Sequence, residues 1–517
     1  MTAKVRREMR RRQRRIRRRH EAVEGGRAPR SGPEFARPKV RHEVARRVEA
    51  TAYGGLSAIH DLAWRIGLVG KLNELKIFKL HRPYFESDHI LNLAYNVLCG
   101  GRVLDDIEHR RHDIAFLDML GARTIPDPTT AGDFCRRFGT EQVVELMELV
   151  NEIRVEVWKA QPSSFLEQTA KIDADGTFVT TDGECKQGID LNYKGDWGYH
   201  PLLVSLANTS EPLYLFNRSG NRPSHEGASY LLDRAVSLCR RAGFQDVLLR
   251  GDTDFTQTKH LDRWDADGVR FIFGCDAAHG LVSKAEALAD EEYAELVRKA
   301  DRVFEGRPRR KQPRVKQSIV RKRGYMDLTL WQEDVAEFDY SPSMAKGTYR
   351  MVVLRKQILE HRGQRYLGTR ERYLFYITND RTLSAAEVVA EANDRCNQER
   401  LIEQLKGAGA LHAPLNTLHA NWAYMVIVSL AWSLKAWFAL LLPIVPRWRE
   451  RHLLDRDRIL RMEFRTFVDA IIRVPAQVLR TGRRLVVRFL AWTRDLHLVF
   501  RQLDGLVFHQ RDGLDSS

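Results

Sequence analysis

Three acidic residues stand where a chain puts carboxylates that work together. Asp175 lies near the end of Lys171-Ile-Asp-Ala-Asp-Gly-Thr177, an apolar and acidic run that reads as a buried strand opening into a turn. Asp252 sits in Val247-Leu-Leu-Arg-Gly-Asp-Thr-Asp-Phe255, a second aliphatic run with an acidic turn at its end. Glu399 belongs to Arg395–Lys406, which is helical in pattern; at about 100° per residue Arg395, Glu399 and Lys406 share one face, a cation on either side of the acid. Three carboxylates within a few ångströms repel one another and hold protons more tightly unless a cation compensates, so such clusters mark metal sites. Mg2+ prefers oxygen ligands and keeps waters. Two such ions about 4 Å apart activate an attacking oxygen and stabilise a leaving one in in-line phosphodiester chemistry, with no side-chain nucleophile. Asp175, Asp252 and Glu399 are the expected ligands of a divalent-metal site.

The elements needed to bring these acids together can be read between them. Strands are expected at Thr169–Ala174, His200–Ala207, Pro212–Asn217, Asp246–Arg250 and Val269–Gly274, with helices near Glu226–Ala242 and Thr256–Ala266. Three meandering strands followed by a helical crossover place the fourth strand parallel to the first, which brings Asp175 and Asp252 to one carboxyl edge. Residues 279–370 read as a β-rich insertion. It holds a charged helix near Ser283–Arg302, the basic loop Arg307–Lys316, and strands at Met326–Gln332 and Thr348–Arg355, with Tyr366 in a linking stretch. Then come a strand at Tyr373–Thr378, a capping box at Ser384 and Glu387, and a helix running on to Lys406.

Residues 49–160 show helical patterns at Leu56–Leu68, His89–Val97, Val103–Arg110, Ile114–Leu120 and Thr140–Val157. Prolines break the run at Ile125–Phe134, where Thr129 or Thr130 caps the next helix. This suits either a helix-turn-helix-like DNA reader or any compact helical bundle. The expected layout is a basic arm without order of its own (1–48), a helical DNA-binding domain (49–160), a catalytic core in two parts (161–278 and 371–445) split by the insertion (279–370), and a helical, basic C-terminal region (446–517) in which Val474–Arg484 offers further phosphate contacts.

A net charge of +16 favours a polyanionic partner, but its placement matters more than its sum. Residues 1–48 hold 18 Lys and Arg against 5 Asp and Glu, so most of the excess is a tail and the rest of the chain is nearly balanced. That tail reads as a phosphate-binding arm that can become helical on DNA, or as a solubilising, RNA-adhering one. No apolar core follows it, so it does not read as a secretory signal. The six cysteines show no paired spacing and no Cys/His ligand set, which argues for a reducing compartment without structural zinc. Trp422–Val445 is long enough to cross a bilayer, but a central Lys435 and its nearness to the Glu399 helix favour a buried core helix, with no membrane partner.

Asp175-Gly-Thr177, Arg250-Gly-Asp252 and the Arg395, Glu399, Lys406 spacing resemble the DDE transposases of bacterial insertion sequences, most of all the IS4-related group and its IS1380 family. The resemblance runs from about residue 120 to 445 and takes in Ser219-Gly-Asn221 and His225-Glu-Gly227. The family's Tyr-(2)-Arg-(3)-Glu-(6)-Lys signature is met except at Ala392, where its tyrosine would stand.

The resemblance implies an α/β core of RNase H-like type: a mixed sheet of three antiparallel strands and then parallel strands with helices, interrupted by the β insertion. It implies an enzyme that binds terminal inverted repeats, cuts double-stranded DNA at the element ends and joins the 3′-OH ends to target DNA. The cofactors implied are two Mg2+ ions, with Mn2+ as a substitute; the assembly is a homodimer on DNA, in the cytoplasm beside the nucleoid. Arg395 and Lys406 would hold phosphates. Arg250 would do so or pair with a carboxylate, and Trp331 would stack on a flipped base or pack in a strand. Asp173 and Asp254 are rivals to Asp175 and Asp252, either as supporting groups or as turn formers. A two-metal nuclease without strand transfer, and a basic DNA-binding protein without catalysis, are the competing readings.

Overall fold

Contacts divide the chain into two compact units, Trp158–Glu403 and the pairing of Met1–Val157 with Gln404–Ser517. The structure is a computed structural model that describes residues 3–24, 48–80, 83–297, 319, 322–363, 365–482 and 484–509.

In the first unit the aliphatic runs become a mixed sheet. Its main strands are β1 (Ala170–Gly176), β2 (Leu202–Leu206), β3 (Glu211–Phe216), β4 (Val247–Gly251), β5 (Arg270–Cys275), β6 (Met326–Tyr340), β7 (Tyr349–Arg362) and β8 (Arg365–Thr378). The helices that serve it are α1 (Ala228–Ala242), α2 (Leu261–Ala266), α3 (Ala385–Asp394) and α4 (Cys396–Gly407). The sheet order is β6-β7-β8-β5-β4-β1-β2-β3, with the two-residue strand Ala294–Glu295 outside β6. β1 pairs antiparallel with β2 and parallel with β4, and β4 pairs parallel with β5, as the crossover argument requires. The crossover helix α1 buries Leu231, Leu232, Ala235, Val236, Leu238, Cys239 and Ala242, a helical stripe that packs on the sheet, and ends at Gly243, whose φ of 108° suits glycine.

The expected insertion is not a separate β domain. β8 pairs antiparallel with β5 from Phe375↔Cys275 to Thr378↔Ile272, so β6, β7 and β8 extend the same sheet. Their inner halves carry the buried residues Val335, Ala336, Met351–Leu354, Phe375 and Ile377, which need a core to cover them. Their outer halves are a polar ribbon with exposed Met326, Leu328, Leu330 and Trp331. The strands run well past their expected ends, and Tyr366 lies in β8 rather than in a link. The helix expected to reach Arg302 stops at Glu286; Arg307–Lys316 lies outside the described residues.

The expected capping box opens α3: Ser384 Oγ accepts from the Glu387 amide at 3.3 Å, and the Glu387 carboxylate accepts from the Ser384 amide at 2.8 Å. The single helix expected to reach Lys406 is two, parted at Arg395, whose carbonyl accepts from the Gln398 amide three residues on.

The second unit is mostly helical and centres on Leu418–Leu440. That helix is long and apolar enough to cross a bilayer, yet its apolar stretch is wholly buried, packed on Glu86–Leu98, Pro128–Cys135 and Arg449–Arg461. Lys435 is accommodated because its ammonium donates to the Leu460 carbonyl at 2.9 Å, at the C-terminal end of Arg449–Arg461. Residues 404–445, grouped by the sequence with the strands, pack here instead. Three further expectations are corrected in this unit.

The helix Pro128–Cys135 is capped by Asp127, which accepts from the Thr130 amide at 2.9 Å; Thr129 and Thr130 lie inside it. The C-terminal region contains an antiparallel hairpin, Ala476–Thr481 with Arg484–Phe489, where a helix was expected. Pro475 blocks a helix there, and Val478, Val486 and Val487 favour strands. Ala3–Glu24 is a helix, steadied by the Glu8–Arg12 and Arg17–Glu21 pairs and by Arg12, which donates to the Phe489 carbonyl at 3.1 Å. Residues 25–47 of the arm lie outside the described residues.

Gly251 ends β4 just before Asp252, and a Cβ there would stand 2.6 Å from the Cβ of buried Phe255. Gly251→Ala is expected to destabilise the protein by ~1–3 kcal/mol through overpacking, read from the denaturant midpoint at unchanged m-value.

Candidate active site

Asp175 is the penultimate residue of β1, opposite Leu203 in β2. Asp252 directly follows β4 and caps a short turn, its carboxylate accepting from the Asp254 amide at 3.0 Å. Glu399 lies in the first turn of α4. The start of α4 is tied to the sheet by Gln398, a buried side chain that donates to the Leu203 carbonyl at 3.2 Å and accepts from the Ser205 hydroxyl. Two strand ends and one helix thus present three acids to one place.

The Arg395 guanidinium stands among them. Nη1 is 3.4 Å from Asp175 Oδ2, and Nη2 is 3.9 Å from Asp252 Oδ2 and 3.7 Å from Glu399 Oε1. Asp175 is largely buried. Burial, with added repulsion from Asp252 and Glu399, pushes its carboxyl up to about 7 despite the opposing pull of Arg395. Asp252 is raised for the same reasons: burial first, then the neighbouring Asp254 and Glu399, again opposed by Arg395. Glu399 is the most open of the three, with its side chain 60% exposed.

Among the described residues no three His, Cys, Asp or Glu side chains are grouped so that they could hold an ion as they stand. The donor chemistry nevertheless fits one: three hard oxygen ligands, two of them with pKa values raised by burial and then by one another's charge, gathered around a cation, which here is Arg395.

The rival acids part company. Asp173 is buried in a two-pronged pair with Arg250, Nε to Oδ1 at 2.7 Å and Nη2 to Oδ2 at 2.8 Å. The third arm of Arg250 meets Asp394 at 3.1 Å and the Glu391 carboxylate at 3.3 Å, and Glu391 also holds Lys171 at 2.7 Å. Burial works against the charge of Arg250, but Asp173 and Asp394 more than offset it and raise its pKa. Asp254 is exposed and acts on Asp252 through its amide and its charge.

Expected as a DNA contact, Arg250 is fully buried, so of its two readings the pairing with a carboxylate is the one the structure has. Trp331 is 68% exposed, at a point where β6 carries one residue more than β7, so it does not pack in the core. Lys406 lies two turns past Glu399 on α4, beyond the point where the helix enters the other unit. Ala392 is half buried against the cluster of Leu248, Ile272, Val352 and Val388.

Lys171, Glu391, Asp394 and Gln398 go unremarked in the sequence. The one hint is the pair of acids at Glu391 and Asp394, three apart on α3 just before Arg395.

Residues 39–505 match the family described as transposase DDE domain, group 1. No curated protein matches the chain. Among solved structures, the piggyBac transposase synaptic complex with hairpin DNA aligns with 81% of this chain and 88% of that chain, at 9% identity and a TM-score of 0.31, a likeness too distant to bear on the site.

Two outcomes follow from the site's electrostatics. In metal-free protein Asp175 holds its proton to about pH 7 when folded and to about 4 when unfolded, so its contribution to folded stability is fully present below about pH 4, declines as pH rises, and is lost above about 7. In EDTA, Asp175→Asn is therefore expected to flatten the fall in Tm between about pH 4 and 7. Arg250→Ala strands buried Asp173 and is expected to cost ~3–5 kcal/mol in urea unfolding.

Proposed function

From the premise that this chain belongs to the DDE transposases, matched along 39–505, we propose that it binds the terminal inverted repeats of an insertion sequence, cuts the DNA at the element ends and joins the 3′-OH ends to target DNA. The observation that carries this reading is the meeting of Asp175, Asp252 and Glu399, from two parallel strands and a helix, around one guanidinium. The order β3-β2-β1-β4-β5 is the one an RNase H-like core requires and supports that assignment. The spacing of Arg395, Glu399 and Lys406 supports the IS4-related group and its IS1380 family as the subfamily.

Asp175, Asp252 and Glu399 are the residues that would hold Mg2+, as two ions, or Mn2+ in its place. Such ions, when bound, activate the attacking oxygen and stabilise the leaving one. The chain's own residues do the rest. Asp173, Arg250 and Glu391 tie the two strands that lead to Asp175 and Asp252 to each other and to α3, and Gln398 holds Glu399 beside the sheet. Arg395 and Lys406 are the candidates to bind phosphates, and Arg395, as a planar fork, can take two oxygens at once. Trp331, exposed on the ribbon, offers a face on which a base unstacked from the duplex can lie. The partners are double-stranded DNA at both substrates and a second copy of the chain, since two ends must be cut and joined together. The site of action is the cytoplasm, beside the nucleoid.

Purified protein with synthetic copies of the repeats flanking its gene is expected to nick and join them in Mg2+ and to do neither in EDTA. Asp175→Ala, Asp252→Ala and Glu399→Ala should each retain binding in a gel-shift assay while losing cleavage by more than the ~100-fold that a supporting group costs. Cleavage without joining would leave a nuclease; cleavage undiminished in all three variants would remove the catalytic assignment.

A further inference from the structure

Two guanidinium groups lie at this edge of the sheet, and they are held differently. Arg250 is committed: it grips Asp173 at 2.7 and 2.8 Å, the short parallel contacts of a settled pair. Arg395 is shared. Its contacts to Asp175, Asp252 and Glu399 are 3.4, 3.9 and 3.7 Å, all long, and only the first is a hydrogen bond. A guanidinium that meets three acids and closes on none is responding to their combined field.

Resting on the reading of these acids as metal ligands, we propose that Arg395 is a built-in counter-ion which holds the place of the divalent cation until DNA arrives, so that metal and DNA load the site together.

The geometry gives three reasons. The guanidinium lies between the acids, in reach of all three, so it stands where a cation shared by them would. Arginine cannot shed its proton in a protein, so the guanidinium itself stays charged throughout the working pH range. What can draw it away is another anion, and phosphate oxygens match its fork better than three splayed carboxylates do. Since a phosphate that removes Arg395 frees the acids for a cation, the two ligands favour each other by the same factor in either direction. Arg395 also stands at the break between α3 and α4, where the helical hydrogen bonding is interrupted.

The test is Mn2+ binding to the full chain without DNA, by calorimetry and by the loss of the free Mn2+ spectroscopic signal. Arg395→Gln is expected to bind Mn2+ at least about tenfold more tightly than the parent, and Arg395→Lys, which keeps the charge but not the fork, to fall between them. In EDTA the Tm of Arg395→Gln should drop below the parent's, with Mn2+ restoring it; this separates a loosened site from a misfolded chain. Affinity equal to or weaker than the parent's in both variants would overturn the proposal. Adding Asp175→Asn to Arg395→Gln should abolish the gain; a gain that survives would overturn the ligand reading itself.

Discussion

One rung of the sheet governs the site. Ser205 on β2 stands opposite Asp173 on β1, and Asp173 stands opposite Arg250 on the parallel strand β4. The Asp173–Arg250 pair is buried, so any slip in register between these strands would strand a charge away from water, at a cost comparable to much of a domain's stability. With the rung fixed, the two-residue period of a strand sets Asp175 two places beyond Asp173, while Asp252 follows two places beyond Arg250. Ser205 adds the third acid, because its hydroxyl meets Gln398 and thereby seats the turn that carries Glu399. The catalytic candidates are placed by a polar pair that does no chemistry itself.

This separation of roles explains why neighbouring acids of similar appearance differ. Asp173 and Asp175 share a strand face, yet one has a committed guanidinium and the other shares a loose one. The first is structural because its charge is satisfied within the protein. The second remains available because its charge is not.

Much of this was legible in the chain. The β1–β5 core, the meeting of strand ends at Asp175 and Asp252, and the nearness of Arg395 to Glu399 follow from periodicity and crossover topology, although the helix is parted at Arg395. What was hidden required pairing partners distant in sequence. Arg250 reads equally as a phosphate contact or as the partner of a carboxylate, and only Asp173, Glu391 and Asp394 around it decide for the second. Residues 279–370 read as an insertion apart from the core strand Tyr373–Thr378, because strand patterns do not reveal which edge β6 and β7 will join; here they continue outward from that strand, which pairs with β5. The hairpin Ala476–Phe489 lies in an Arg-rich stretch whose composition suggested helix, while Pro475 and the valines decided otherwise. The helix Ala3–Glu24 carries ion pairs at four-residue spacing, a local signal outweighed in the sequence by its density of like charges.

The junction of β8 with β5 also has a mechanical meaning. β6, at 15 residues and about 3.3 Å per residue, spans some 50 Å from its end in the sheet to the tip of the ribbon, which its outer half forms. The ribbon's inner end is hydrogen-bonded into the strand that carries Gly274, and a Cβ on Gly274 would lie only 3.3 Å from the backbone of Asp252. A load applied at the ribbon's tip is therefore in series with the turn that aims one of the three acids, with no loop between them to absorb the strain.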